Sequence, residues 1–138
     1  MKIQIAKMNE QTIEGYRHVV VSENYINFMD ISNNECSEIL ANDVLDSFSL
    51  DKVKDCLIFL VDKLRLGGNL VVGGKDIRLF CKAVISNLIS EDEASLIIEN
   101  INSMPTMIQV VPIIESLGLK IVSTSMSGIH FEVTAQRA

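Results

Sequence analysis

Apolar residues open the chain in short, alternating runs. Lys2 to Ala6, His18 to Val21 and Tyr25 to Met29 each read as strands, separated by polar or glycine-containing turns. The polar gap Ser32-Asn33-Asn34-Glu35 leads to Ser37-Glu38-Ile39-Leu40-Ala41, a run long enough for a buried strand and too short for a helix. The period then changes. After Ser49, a good N-cap, Val53, Cys56, Leu57, Leu60, Val61 and Leu64 fall at steps of three and four and define one helix face, with Gly67-Gly68 as the expected terminator. Leu70-Val71-Val72 follows as a strand, closed by Gly73-Gly74, so that helix, strand and paired glycines make half of a βαβ unit.

Two helices are expected next. Asp76 caps one with Ile77, Phe80, Cys81, Val84 and Leu88 on its apolar face, and Ser90 with Glu93 forms a capping box for another reaching about Ile101. Met107 to Leu117 also reads as helical, ended by Gly118, with Pro112 either kinking it or marking its first turn. Leu119 to Met126 and Ile129 to Ala135 close the chain as a hairpin through Ser127-Gly128, and Phe131, Val133 and Ala135 alternate with His130, Glu132 and Thr134. No repeat, low-complexity tract or linker interrupts residues 1–138, which therefore read as a single α/β domain.

Composition narrows the choice of function. With 48% hydrophobic residues the chain has material for one buried core. Its net charge of -6 supplies no basic patch, so no direct nucleic-acid partner is expected. Cys36, Cys56 and Cys81 lack C-x-x-C spacing and sit in apolar runs, which predicts buried thiols in a reducing compartment. No segment has the length of a signal peptide core or a membrane span, so a soluble, cytoplasmic protein is expected. His18 and His130 are too far apart in the predicted topology for a base or metal pair, and no ligand spacing predicts a metal site. Gly73-Gly74-Lys75 does not have P-loop spacing and reads as a strand-to-helix turn.

Ser37-Glu38-Ile39-Leu40-Ala41-Asn42-Asp43-Val44-Leu45-Asp46-Ser47-Phe48, followed by a helix and Leu64-Arg65-Leu66-Gly67-Gly68-Asn69-Leu70-Val71-Val72, resembles a stretch of the class I S-adenosylmethionine-dependent methyltransferases. The similar family pieces are the fourth strand, the "hVLEHh" segment, the fourth helix and the "hLKPGGxLhh" turn. Ile114 to Ile121 is similar to the family's "LexxGFkhh" segment, and Phe131 to Arg137 to its last antiparallel strand. The resemblance covers roughly residues 25 to 138. It implies a Rossmann-like, mostly parallel sheet with a C-terminal antiparallel hairpin.

The departures fall on the cofactor site. The family's glycine-rich loop after its first strand lets backbone approach the cofactor, and here Gly15 is the sole glycine before Gly67. The family's "LEH" becomes Leu45-Asp46-Ser47, and Arg65-Leu66 stands where lysine-proline would precede the paired glycines. Too few residues precede Asp30 for three strands and two helices, so the first strand, its loop and its helix are expected to be missing or replaced. The resemblance leaves Asp30, Asn42 and Asp43 as cofactor-binding candidates, each with a turn or cap as its alternative role. Catalytic residues are not assigned.

The first expectation is a degenerate, non-catalytic methyltransferase-like domain with no cofactor, acting through self-association, as a homodimer or other homo-oligomer, or through partner binding. Loss of a covering helix or of strands would expose surface for that purpose. The alternatives are an active methyltransferase whose S-adenosylmethionine site another subunit or an unusual loop completes, and a small-ligand module using the carboxyl edge of the sheet. Short chains of this kind look similar to ones carried by tailed phages, which would place the protein in the host cytoplasm.

Overall fold

The computed structural model describes residues 1–8, 10–28 and 30–138. Seven strands form one sheet in the order β3-β2-β1-β4-β5-β7-β6. They are β1 (Lys2–Ala6), β2 (Arg17–Ser22), β3 (Tyr25–Ile26), β4 (Cys36–Ala41), β5 (Leu64–Lys75), β6 (Leu119–Ser127) and β7 (His130–Arg137). β2, β1, β4 and β5 run parallel, whereas β3 and β7 pair antiparallel to β2 and β5, and β6 pairs antiparallel to β7. The mostly parallel sheet with its C-terminal hairpin is the architecture the sequence implies. The helices are α1 (Val53–Lys63), α2 (Ile77–Ile85), α3 (Glu91–Glu99) and α4 (Met107–Ser116).

The N-terminal departure from the family pattern has a definite form. The first strand is kept, in the middle of the sheet, between β2 and β4. What is replaced is the crossover: a βαβ connection is ordinarily helical, but residues 7–8 and 10–16 form turns and loop instead. Gln4 on β1 holds this loop, accepting from the Ile13 N–H at 2.8 Å and donating to the Gln11 carbonyl at 3.0 Å. β2 then turns straight back into β3 through Asn24, whose φ of 55° makes the tight turn. Tyr25 to Met29, read as one strand, is a strand only at Tyr25–Ile26, and Met29 lies outside the described residues.

The alternation along the strands decides which face is covered. Ile3, Ile5, Val19, Val21, Ile39, Ala41, Leu70, Val72, Val133 and Ala135 share one face and one core with Cys56, Leu57 and Leu60 of α1 and Val110 and Ile114 of α4. The opposite face carries Gln4, His18, Leu40, Val71 and Thr134 in one cross-strand row, all half-buried. The next row, Lys2, Glu38, Asn69, Gln136 and Lys120, is polar throughout. A parallel sheet covered on both faces would read as continuous apolar runs, whereas polar residues recur on this face because, among the described residues, no helix layer covers it. The absence of a crossover helix is thus written into the strands themselves.

Three local expectations are corrected. α1 ends at Lys63, not at Gly67-Gly68: Leu64 is already extended and pairs with Cys36, and residues 65–68 bulge before Asn69 pairs with Glu38. Gly67, at φ +78°, and Gly68, where a Cβ would lie 2.9 Å from the Arg65 carbonyl oxygen, serve that bulge. Gly73-Gly74 does not close the strand but lies inside it, paired with Glu132 and Phe131. On Gly73 a Cβ would meet the Phe131 carbonyl oxygen and come within 2.7 Å of that of Asn42, so strand packing requires glycine there. Finally, Cys36 and Cys56 are buried as expected but Cys81 is exposed, because Ile77 and Cys81 of α2, and Leu88 beyond its end, are turned to the outside while Phe80 and Val84 pack near Ile129.

Two of the three caps read from the sequence are made: Asp76 accepts from the N–H groups of Arg78 and Leu79 at 2.8 and 3.3 Å, and Ser90 accepts from the Glu93 N–H at 3.1 Å, whereas the Ser49 side chain caps no helix. Thr106 with Gln109 adds a capping box on α4 that the sequence did not single out. Pro112 lies inside α4. At the other end of the fold, the Arg137 guanidinium donates to the carbonyls of Val61 and Leu64 and to Asn34 Oδ1, tying the last strand to the C-terminal turn of α1. Among the described residues no helix is long and apolar enough to cross a membrane.

Candidate functional site

In an open α/β sheet, ligands bind beyond the carboxyl ends of the strands where the order reverses. Here that point lies between β1 and β4. The chain leaves β1 at Lys7 and β4 at Asn42, and the short 3-10 turn Leu45–Ser47 packs Asp46 beneath the end of β5. Backbone bonds set this turn: the Val44 N–H donates to the Gly73 carbonyl at 3.2 Å, and the Asn102 N–H and side-chain amide donate to the carbonyls of Asp46 and Ser47. Asp46 is fully buried.

Around it stands a cluster of charges. Lys75 Nζ is 2.7 Å from Asp46 Oδ2 and 3.5 Å from Asp43 Oδ2, and Lys7 Nζ is 4.0 Å from Asp46 Oδ1. His130 Nε2 lies 3.8 Å from Asp43 Oδ1, and Asn42 Nδ2 donates to Glu132 Oε2 at 2.8 Å. Buried Oδ1 atoms of Asp43 and Asp46 have no hydrogen-bond partner. Burial, and next the Asp43 charge, raise the Asp46 carboxyl above its ordinary range despite the lysines. Burial pulls the Lys75 ammonium the other way, but its two carboxylates outweigh that and hold its pKa above the usual value. Lys75 is therefore a permanent cation, fit to neutralise carboxylates and unfit to act as a base.

Two spaces flank the cluster. A crevice of about 210 Å³ on the β1 side is lined by Lys7, Lys75, Leu96, Ile97, Asn100 and Ile101, so α3 overhangs it. On the other side, a cleft of about 320 Å³ is bordered by Asn42, Asp43, Ser125, Ser127, His130 and Glu132. The structure thus brings Asn42 and Asp43 to the carboxyl edge as the resemblance implied. Asp30 is elsewhere. It follows the antiparallel β3, so the chain has returned to the amino edge, where exposed Asp30 pairs with Arg17, the first residue of β2, at 3.2 Å. His18, on β2 beside Gln4, is likewise far from His130 in the sheet, as expected.

The sequence did not single out Lys75, Glu132 or His130 for this place, and considered Asp46 only as a departure from "LEH". One signal was available: Asp46 lies among Val44, Leu45 and Phe48, and an acid inside an apolar run is a candidate for paired burial. Its partner, 29 positions on, could not be read from that run. Among the described residues no cluster of His, Cys, Asp and Glu is arranged to hold a metal ion.

The strand order, the parallel core and the antiparallel final hairpin define a class I S-adenosylmethionine-dependent methyltransferase-like fold. Solved structures bear this out. A Pyrococcus horikoshii protein superposes with a TM-score of 0.61 at 10% identity, over 90% of this chain and 60% of its own. A SAM-dependent methyltransferase from Thermotoga maritima gives 0.57 at 13% identity, over 90% of this chain and 65% of its own. A Haloferax volcanii methyltransferase in complex with a methyltransferase activator gives 0.58 at 6% identity, over 92% and 63%. This chain therefore spans less than two thirds of the length of each. The sequence itself matches no family model and no curated protein.

Proposed function

We propose that this chain is a methyltransferase-like domain that has given up cofactor binding and acts by association, with itself or with a partner chain. The observation that carries the reading is the state of the two spaces at the carboxyl edge. The crevice on the β1 side, about 210 Å³, falls below the roughly 300–1,000 Å³ typical of pockets that bury a ligand of drug size, and the cleft beside Asn42 and Asp43, about 320 Å³, reaches only the lower end of that range. The residues there do not fit S-adenosylmethionine. Lys7 and Met8 follow β1 where close backbone approach would call for glycine, and the ion pairs of Asp46 with Lys75 and Lys7 fill the floor. A cluster that neutralises itself has little charge left to bind with.

Association finds support in the surface. Ile85 and Leu88 are 82% and 81% exposed; Ile77 and Ile85 line one shallow apolar depression on α2 with Cys81, Leu88 borders another, and exposed Leu96 of α3 lines the crevice. These residues, more than the uncovered and largely polar sheet face, are where a second copy would dock. Calorimetric titration with S-adenosylmethionine tests the first half: a dissociation constant below about 10 μM, roughly 7 kcal/mol, would overturn it. Light scattering on a sizing column tests the second, with twice 15.3 kDa expected. A mass of 15.3 kDa at every dilution, with no partner chain recovered, would leave association without support.

A second reading keeps catalysis by having another chain complete the cofactor site. It is favoured by one neighbour being solved with a methyltransferase activator. Cofactor binding that appears only in the presence of a second chain would select it.

A further inference from the structure

The chain has five phenylalanines, two tyrosines and no tryptophan. Four of those seven rings, Tyr25, Phe28, Phe48 and Phe59, line a single groove of about 400 Å³ on the α1 side of the sheet, which shares no lining residue with the carboxyl-edge cluster. Tyr25 is 57% and Phe59 59% exposed, so neither ring is there to fill the core. One wall is the β2–β3 hairpin; the other is a flank of α1 whose lining positions, beginning at Lys52 and ending at Lys63, recur at helical spacing. This flank adjoins, at Cys56, the α1 face that packs on the sheet.

The walls are fixed before any ligand arrives. The Asn24 N–H donates to the Ser47 carbonyl at 2.9 Å, and Asn24 Oδ1 accepts from the Ser49 N–H at 2.7 Å, so the hairpin tip is tied to the segment leading into α1. Lys63 donates to the Ile31 carbonyl at 2.8 Å, with Nζ 5.7 Å from the Phe28 ring centroid. The volume lies in the range of small-molecule sites, and the composition matches them: aromatic walls with few polar groups.

Charge selects the ligand. Lys52 and Lys63 both line the groove, with Asp55 as the opposing charge. Among the described residues no carboxylate lies within ion-pair distance of either lysine. In a chain of net charge -6, two such ammonium groups beside four rings make a local preference for anions. Rings offer stacking and edge contacts to a flat apolar body.

We propose that this groove binds a planar aromatic molecule carrying one anionic group, its rings against Tyr25 and Phe59 and its anion at Lys52, because Lys63 lies about 16 Å further along the helix and is held by the Ile31 carbonyl. The test is an amide NMR titration of the whole chain with 2-naphthoate, alongside the neutral 2-naphthylmethanol. Saturable shifts are expected at residues 24–28 and 52–63. Phe59→Ala should weaken binding about tenfold, and Lys52→Gln, or use of the neutral analogue, about threefold to fivefold. Because Phe59 is exposed the variant should keep the parent spectrum elsewhere; should it not, Tyr25→Ala provides the same reading on the opposite wall. No saturable shift up to about 5 mM would overturn the site. So would shifts centred on Asn42 and Lys75 instead. Equal affinity for the neutral analogue would overturn the anionic class.

Discussion

Replacing Lys75 with methionine isolates the charge cluster at the carboxyl edge. The methionine fills most of the volume of the lysine stem but removes the cation 2.7 Å from Asp46 and 3.5 Å from Asp43. Asp46 is fully buried and the Lys75 side chain only 14% exposed, so solvent screens this pair weakly. Removing one member of a buried pair costs about 3–5 kcal/mol, because the other charge is left uncompensated. Lys7, at 4.0 Å, remains as a weaker partner, which places the expected loss at the lower end, about 3 kcal/mol at pH 7. That is a large share of the 5–15 kcal/mol typical of a domain, and corresponds to a melting shift of roughly 6–12 °C for a chain of this size.

The pH dependence of that loss follows from the raised carboxyl pKa. A carboxyl whose folded pKa lies above its unfolded value favours folding when protonated; that contribution is present at low pH and lost as pH rises through the folded pKa. Without Lys75 the folded pKa of Asp46 rises further. The deficit of the variant should therefore be full at pH 7 and shrink as pH falls toward the ordinary carboxylate range. Urea unfolding at pH 7 and at pH 5 measures it, and Lys75→Met with Asp46→Asn should recover part of the loss. A deficit below about 1 kcal/mol that is equal at both pH values would refute the assignment of Asp46 as a buried charge held by Lys75.

Gly73→Ala should destabilise the fold by about 3 kcal/mol or more, since its Cβ would press on the Phe131 and Asn42 carbonyls, whereas Gly67→Ala, strained in φ but in open space, should cost about 1 kcal/mol. Equal losses in urea unfolding would contradict the close approach of β4, β5 and β7. Arg137→Ala should cost about 2 kcal/mol by releasing the α1 C-terminal carbonyls, and Arg137→Lys should restore less than half, because an ammonium cannot bond three separated acceptors as a guanidinium fork does; full recovery by lysine would rule out the fork. In the native protein a thiol reagent should modify Cys81 within minutes and leave Cys56, whose thiol burial pushes up to about 12, untouched until unfolding. Mass mapping of the labelled cysteine decides this, and rapid labelling at Cys56 would show that the core opens.

Much of the fold was legible because its signals are local. The period-two alternation of Phe131, Val133 and Ala135, the three-and-four spacing from Val53 to Leu60, and the caps at Asp76 and Ser90 act within a few residues of themselves. The alternation in β1, where Lys2 and Gln4 flank Ile3, also carried a message that was not drawn out: polar residues at every second position of a central parallel strand announce a face that is not packed under helices.

What tertiary structure decided was every feature that depends on which strands become neighbours. Paired glycines read as helix stop and strand stop turned out to be a bulge and a close packing point, because their meaning comes from the pairing of Leu64 with Cys36 and of Asn69 with Glu38, and from Asn42 and Phe131, across the fold and not from adjoining sequence. Asn42 and Asp43 share an edge with Lys75 and His130, while Asp30 does not, because the antiparallel β3 returned the chain to the amino edge before Asp30 was reached. A single reversal of strand direction moves a residue across the whole sheet, and strand direction is fixed by pairing and by the length of the connection, which in this chain is a turn at Asn24 where the family pattern places a helix. Sequence determined the elements and their buried sides; the placement of charge at one end of the sheet belonged to the fold.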